Sequence, residues 1–384
     1  MLGIDELYKE LKSSNFLVDT DSRKIRKGSV FFAIKGDNFN GNEFIGDALK
    51  NGSRLAISDE ENPNLNDNHN VIKVSNSLST LQELSKFHRK KCNAKVIGIT
   101  GSNGKTTTKE LIYSVLSSNF KTICTTGNFN NHIGLPLSLF EIRHDTEFAV
   151  IEMGANNFGE IAFLTSLCEP DYGYITNFGK AHLEGFINID GVIKAKTELY
   201  QWIIKNDKTL LINGEDKNQK KFDNHKHIMF GCGENFQFNF REKNNDFVNV
   251  LHDNYLFETK LYGTYNYSNV CADLALGLEF GIDKNQINQS LKSYQPKNNR
   301  SEIIKIGGKT IVLDAYNANP SSVEEAIKSF SILEGDKAII LGDMFELGKE
   351  SSIEHKKIIK LCEDNIDSKC IFIGEEFFNF SNNE

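Results

Sequence analysis

A short apolar run, Val96-Ile97-Gly98-Ile99, leads directly into Thr100-Gly101-Ser102-Asn103-Gly104-Lys105-Thr106-Thr107-Thr108. Leu111, Ile112, Val115 and Leu116 then recur at helical spacing. A buried strand, a glycine-hinged turn and an amphipathic helix in that order predict an α/β fold with the turn at the carboxyl edge of a sheet. The glycines let successive N–H groups converge on one anion, and the helix N-terminus adds its positive dipole. Lys105 is then placed to reach the outer phosphates of a nucleotide, and the Thr106 hydroxyl to help hold Mg²⁺. The longer G-x-x-x-x-G-K-[ST] pattern is not met, because its first glycine would fall at Ile99. The competing reading is a glycine turn that merely caps a helix; the strand before it argues against this. No N-K-x-D guanine motif and no protein-kinase set occur, so the expected nucleotide is ATP.

The same rhythm continues in Phe148-Ala149-Val150-Ile151, Tyr172-Gly173-Tyr174-Ile175 and Thr209-Leu210-Leu211-Ile212. It predicts a parallel sheet covered by helices on both faces. Upstream, strands near 29–34, 55–57 and 71–74, helices at 43–51 and 77–91, and a polar loop at 59–70 read as a small mixed unit. Residues 214–260 are weakly patterned and read as short antiparallel strands. Residues 294–300 read as a linker. Beyond it come strand 310–314, helix 321–332, strand 337–341, helix 352–363 and strand 370–374. The expected domains are therefore 1–92, 93–297 and 298–384. The last is thin, with open sheet edges, and reads as incomplete.

A net charge of −8 provides no basic field for a nucleic-acid backbone or an anionic membrane. No run approaches 18 apolar residues, and no basic, then apolar, leader opens the chain. The seven cysteines include no C-x-x-C pair and are odd in number, as expected of reduced thiols in a cytoplasmic protein.

Further segments carry a resemblance. They are Asp21-Ser22-Arg23-Lys24-Ile25 with Gly28-Ser29-Val30-Phe31-Phe32-Ala33; Gly127-Asn128-Phe129-Asn130-Asn131-His132-Ile133-Gly134; Glu152-Met153-Gly154-Ala155; and Asn177-Phe178-Gly179-Lys180-Ala181-His182. Ala195-Lys196-Thr197-Glu198, Asp314-Ala315-Tyr316-Asn317-Ala318-Asn319-Pro320 and Gly342-Asp343-Met344-Phe345-Glu346-Leu347-Gly348 follow. Together with the phosphate loop, and in this order, they resemble the Mur ligases of peptidoglycan synthesis. The last two strings resemble the branch that adds D-alanyl-D-alanine to UDP-N-acetylmuramoyl-tripeptide. The resemblance implies three domains: one for the UDP end of the substrate, a central P-loop domain for ATP, and a Rossmann-like C-terminal domain that closes over both. It also implies a monomer that activates a carboxylate as an acyl phosphate before the amine attacks.

Residue roles come with the resemblance. Gly101, Ser102, Asn103, Gly104, Lys105, Thr106 and Thr107 would cradle ATP. Asn266, Arg300 and Asp314 would contact the nucleotide. Glu152, His182 and Thr106 would hold Mg²⁺, of which two ions are expected. Lys196 would be carbamylated, although by spacing alone it reads as part of a solvated helix face. Lys105, Glu152, His182 and Lys196 form the expected catalytic set. Ser22 and Arg23 would hold the uridine diphosphate, and Asn131 and His132 would face the γ-phosphate or acyl group. Asn317 and Asn319 would lie near the dipeptide, although turn chemistry before Pro320 explains them nearly as well. His225 and His227 read as solvated. Two departures stand out. Tyr265 occupies a position where the family has histidine, and the family's last βα section is missing, which points to a truncated copy. A ligase for another amino acid, a folate-polyglutamylating enzyme and an inactive substrate-binding copy are the competing expectations.

Overall fold

The computed structural model describes residues 2–61, 68–231, 235–241, 247–366 and 369–381. Part of the expected 59–70 loop lies outside them. The N-terminal strands Val18–Asp19, Val30–Phe32, Leu55–Ser58 and Val71–Lys73 form a parallel sheet in chain order. Alternation along the strand divides its two phenylalanines between the faces. Phe32 packs with Leu7 and Leu11 of helix Ile4–Ser13 and with Leu81 and Leu84 of helix Ser77–Lys91. Phe31 meets Ile45 and Ala48 of helix Ile45–Lys50 on the other side.

The central sheet has six parallel strands. Their spatial order is His227–Phe230, Thr209–Asn213, Tyr172–Ile175, Lys95–Thr100, Phe148–Glu152 and Thr122–Cys124. The chain starts at the middle strand, fills one side from the far edge inward, then crosses to fill the other. Lys95–Thr100 therefore lies beside the point where strand order reverses, and there the carboxyl ends leave a crevice. Helices Lys105–Leu116 and Tyr267–Glu279 bury Leu111, Ile112, Val115, Leu274 and Leu276 on one face. Helices Glu160–Cys168 and Ile189–Lys205 bury Ile161, Leu164, Leu199 and Ile203 on the other.

Two expectations are corrected. His227–Phe230 is not part of an antiparallel patch but the sixth parallel strand, paired with Thr209–Asn213. Its three buried side chains, Ile228, Met229 and Phe230, fit a two-sided buried strand. The antiparallel strands begin later, at Asn239–Arg241, Phe247–His252 and Tyr255–Tyr262. In the C-terminal part, Lys309–Leu313 opens the expected alternation of strands and helices but does not share a sheet with the strands that follow it. It pairs antiparallel with Glu302–Ile306 across Gly307-Gly308, whose φ values of 57° and 77° make a tight hairpin. Ala338–Gly342 and Lys369–Ile373 form a separate parallel pair. Helices Pro320–Ser331 and Ser351–Asn365 place Ile327, Ile358 and Cys362 in the same continuous apolar cluster as the central domain.

Candidate active site

The phosphate loop lies at the carboxyl end of the middle strand and is held from the neighbouring strand Tyr172–Ile175. Thr176 N–H donates to the Thr100 carbonyl at 2.9 Å. Ser102 N–H donates to the Asn177 carbonyl at 3.1 Å, and Asn103 N–H to Asn177 Oδ1 at 3.0 Å. Thr176 Oγ1 donates to the Asn103 carbonyl at 2.5 Å, and Ser102 Oγ to the Gly179 carbonyl at 2.8 Å. The glycines are required by shape. Gly101 has φ +144° and a Cβ there would collide with Thr176, while Gly104 has φ +76° and abuts the Asn269 amide. Gly104 is the N-cap of helix Lys105–Leu116, so the helix's first N–H groups face the mouth of the loop.

Lys105 folds back, donating from Nζ to the Gly101 and Ser102 carbonyls at 2.8 and 3.0 Å. Burial pushes its ammonium down, Glu152 opposes this, and Arg300 adds to it. Thr106 is buried at the start of the helix, and Thr107 follows it half-buried.

Glu152 ends strand Phe148–Glu152, opposite Ile99 of the middle strand. Its Oε1 accepts from Asn130 Nδ2 at 2.8 Å, while Oε2 is buried without a hydrogen-bond partner. The ammonium of Lys109 lies 3.7 Å from Oε2. An unsatisfied carboxylate oxygen beside a phosphate cradle is suited to a hard cation, so the residues present fit Mg²⁺. Among the described residues no three His, Cys, Asp or Glu side chains form a metal cage.

His182 has φ +53° and begins the turn Leu183–Phe186. Its Nδ1 meets the Glu346 carboxylate of the Gly342–Gly348 string. Burial holds the imidazole pKa down, against the pull of Glu346. Lys196 is not solvated: it is 1% exposed, over the Phe186 ring at 5.2 Å, with Nζ 3.4 Å from the Ala155 carbonyl. Burial first, and the charge of Lys105 second, bring its pKa from the ordinary 10.5 to about 7. Lys194 lies on another face of the helix, exposed, over Phe158.

The C-terminal part reaches the loop directly. Asn319 caps helix Pro320–Ser331 by accepting from Ser322 N–H, and its Nδ2 donates to Asn103 Oδ1 at 2.6 Å. Lys180 N–H donates to Ser321 Oγ at 2.8 Å, and Lys180 Nζ to Glu354 at 2.8 Å. Arg300 stacks on Tyr316, with its guanidinium carbon 3.5 Å from the ring centre. Asp314 accepts from Ser301 N–H at 3.2 Å and from the Tyr265 hydroxyl at 3.3 Å. Its carboxyl pKa is raised by burial, with those hydrogen bonds opposing.

Other expected residues are placed differently. Asn266 turns inward, donating to the Tyr262 carbonyl at 2.7 Å and accepting from Asn269 at 2.9 Å. Asn269 also accepts from Thr108 Oγ1, so the two asparagines brace the loop from behind. Asn131 Oδ1 accepts from Ile133 and Gly134 N–H, and His132 is exposed. Asn317 closes on Ala318 N–H at 3.0 Å. Ser22 and Arg23 lie in the N-terminal part, where Arg23 is tied to Asp21 in solvent. Their neighbours Asp21 and Lys24 line a cleft of about 290 Å³ shared with Thr126 and Phe129. Sequence reasoning missed Lys109, Asn130, Asn177, Asn269 and Glu346. Lys109 had one available signal, its position one helical turn after Lys105.

Three family models match: "Mur ligase family, catalytic domain" over residues 17–89, "Mur ligase middle domain" over 99–277, and "Mur ligase, glutamate ligase domain" over 299–381. The chain is 36% identical over 348 residues to the UDP-N-acetylmuramoyl-tripeptide–D-alanyl-D-alanine ligase of Bacillus subtilis strain 168, covering 88% of this chain and 76% of that one. The crystal structure of MurF from Acinetobacter baumannii matches with a TM-score of 0.85 at 28% identity, covering 96% of this chain and 86% of that one. MurF ligase from Thermotoga maritima in complex with ADP matches with a TM-score of 0.82 at 27% identity, covering 94% and 85%. With matching models running from the N-terminal sheet through the phosphate loop to the last helices, the chain belongs to the Mur ligase family.

Proposed function

We propose that this chain joins the amine of D-alanyl-D-alanine to the free carboxylate of UDP-N-acetylmuramoyl-tripeptide, converting ATP to ADP and phosphate, in peptidoglycan precursor synthesis. The observation that carries this reading is the glycine cradle of residues 100–106 set beside the half-satisfied carboxylate of Glu152. The named relatives, similar over most of the chain, support the choice of substrates. Residues 1–92, 93–297 and 298–384 are the three working units.

An amide does not form from a carboxylate until its oxygen becomes a leaving group, and phosphorylation makes it one. That transfer needs positioning and charge neutralisation more than a protein nucleophile. The loop N–H groups and Lys105 bind and orient the phosphates. Glu152, His182 and Thr106 would hold Mg²⁺, two ions in all, which would supply charge neutralisation on those phosphates. Arg300 and Asp314 position the nucleotide from the C-terminal side. Lys196 is carbamylated: its burial, and a pKa near 7, keep the amine neutral often enough to take up carbon dioxide. Ser22 and Arg23 bind the uridine end, Asn131 and His132 face the acyl group, and Asn317 and Asn319 flank the dipeptide. The protein acts as a cytoplasmic monomer, and no helix among the described residues is long and apolar enough to cross a membrane.

The test is phosphate release with ATP, Mg²⁺ and UDP-N-acetylmuramoyl-tripeptide, with and without D-alanyl-D-alanine. Release that depends on the dipeptide, with the pentapeptide product seen by mass spectrometry, supports the assignment. Release indifferent to the dipeptide overturns it.

A further inference from the structure

Lys105 and Lys109 are four residues apart on helix Lys105–Leu116 and so share a face. Lys105 is half-buried at the mouth, on two loop carbonyls. Lys109 points inward and is 1% exposed, beside a Glu152 that is 2% exposed. Its Nζ lies 3.7 Å from Glu152 Oε2 and 3.4 Å from the Gly127 carbonyl. Asn130 gives Glu152 a hydrogen bond but no charge. A carboxylate this deep is costly unless a cation stands near it. Without one, Glu152 would draw Lys105 out of the loop and would repel the phosphates the loop is shaped to hold.

We infer that Lys109 is a positioning residue, the standing counter-charge of Glu152, which leaves Lys105 free for the nucleotide. This rests on the nucleotide-binding reading of residues 100–106. It assigns separate tasks to two lysines one turn apart: the outer one binds the incoming anion, and the inner one balances the carboxylate. Since the pairing is internal to the protein, its effect is present without metal.

The experiment is calorimetric binding of ADP in EDTA to the wild type, Lys109→Met, Glu152→Gln and the double variant, with thermal unfolding of each. Lys109→Met is expected to weaken ADP binding by about ten-fold or more, and the double variant to recover to within about three-fold of wild type, since contacting charges couple strongly. Lys109→Met binding like wild type, or a double variant as weak as the single one, overturns the inference. Where Lys109→Met is too unstable to titrate, unfolding decides. A double variant restored toward the wild-type midpoint supports the pairing, because removing both charges is far milder than removing one. A double variant no more stable than Lys109→Met overturns it. A wild type that fails to bind ADP overturns the nucleotide reading, and the unfolding cycle still judges the pair.

Discussion

Asn319 donates a 2.6 Å hydrogen bond from Nδ2 to Oδ1 of Asn103, across 216 residues of sequence. The same Asn319 accepts from Ser322 N–H as the cap of helix Pro320–Ser331. One side chain thus fixes the start of a C-terminal helix and ties it to the tip of the phosphate loop. Asn319→Ala should lower stability by about 1 kcal/mol through the lost cap, measured by urea denaturation. Asn319→Ser keeps a capping oxygen but is too short for the loop, so it should recover most of that stability. If the link to Asn103 helps order the nucleotide site, both variants should raise the KM for ATP.

Lys105 holds the only side-chain ammonium that the structure places on the loop carbonyls of Gly101 and Ser102, among the described residues. Lys105→Ala should reduce kcat by about 10²–10³-fold, the scale of losing one preorganised electrostatic donor. Circular dichroism and the unfolding midpoint should stay close to wild type. A variant that keeps more than a tenth of the activity would argue against this role.

Lys196 predicts a pH dependence of stability. Its pKa is near 7 in the folded chain and near 10.5 when solvated. Between these values the unfolded chain holds a proton that the folded one has released. Stability therefore rises with pH across that window, and the full penalty applies below pH 7. Lys196→Met removes the group, so its stability advantage over unmodified wild type should grow as pH falls from about 10 to 7. Denaturation series in carbon dioxide-free buffer would measure this. Equal slopes for the two proteins would count against the low pKa.

Lys196 also predicts a chemical signature. Wild-type protein equilibrated with ¹³C-bicarbonate should give a carbamate carbon resonance that Lys196→Ala lacks. Added short carboxylic acids should restore part of the variant's lost activity. No resonance at any pH from 7 to 9 would remove the carbamate from the proposal.

The Tyr265 hydroxyl meets both Ser301 at 2.7 Å and Asp314 at 3.3 Å. Tyr265→Phe leaves the Asp314 carboxyl with the Ser301 N–H alone. One hydrogen bond of about 1 kcal/mol corresponds to roughly a five-fold rise in the KM for ATP, with kcat little changed. An unchanged KM would show that Asp314 needs no help from the tyrosine.

The local order of residues determined the phosphate loop. Gly101 and Gly104 adopt backbone angles suited to glycine, and Lys105 begins a helix whose spacing is visible in the string. The four inner strands could also be found locally, since two-sided burial demands continuous apolar runs such as Phe148-Ala149-Val150-Ile151, whereas the edge strands Thr122–Cys124 and His227–Phe230 could not. Tertiary structure decided which distant residues share a charge or a hydrogen bond. Spacing made Lys196 look solvated, yet Phe186 and the chain near Ala155 close over it and lower its pKa. Strand order alone brought Glu152 beside the loop, and the packing of helix Lys105–Leu116 turned Lys109 toward it. Glu346 and Asn319 reach His182 and Asn103 only because the C-terminal helices pack on the central core. A pattern along one chain records which face of an element is apolar. Depth, field and partner are set by what the other elements place around it.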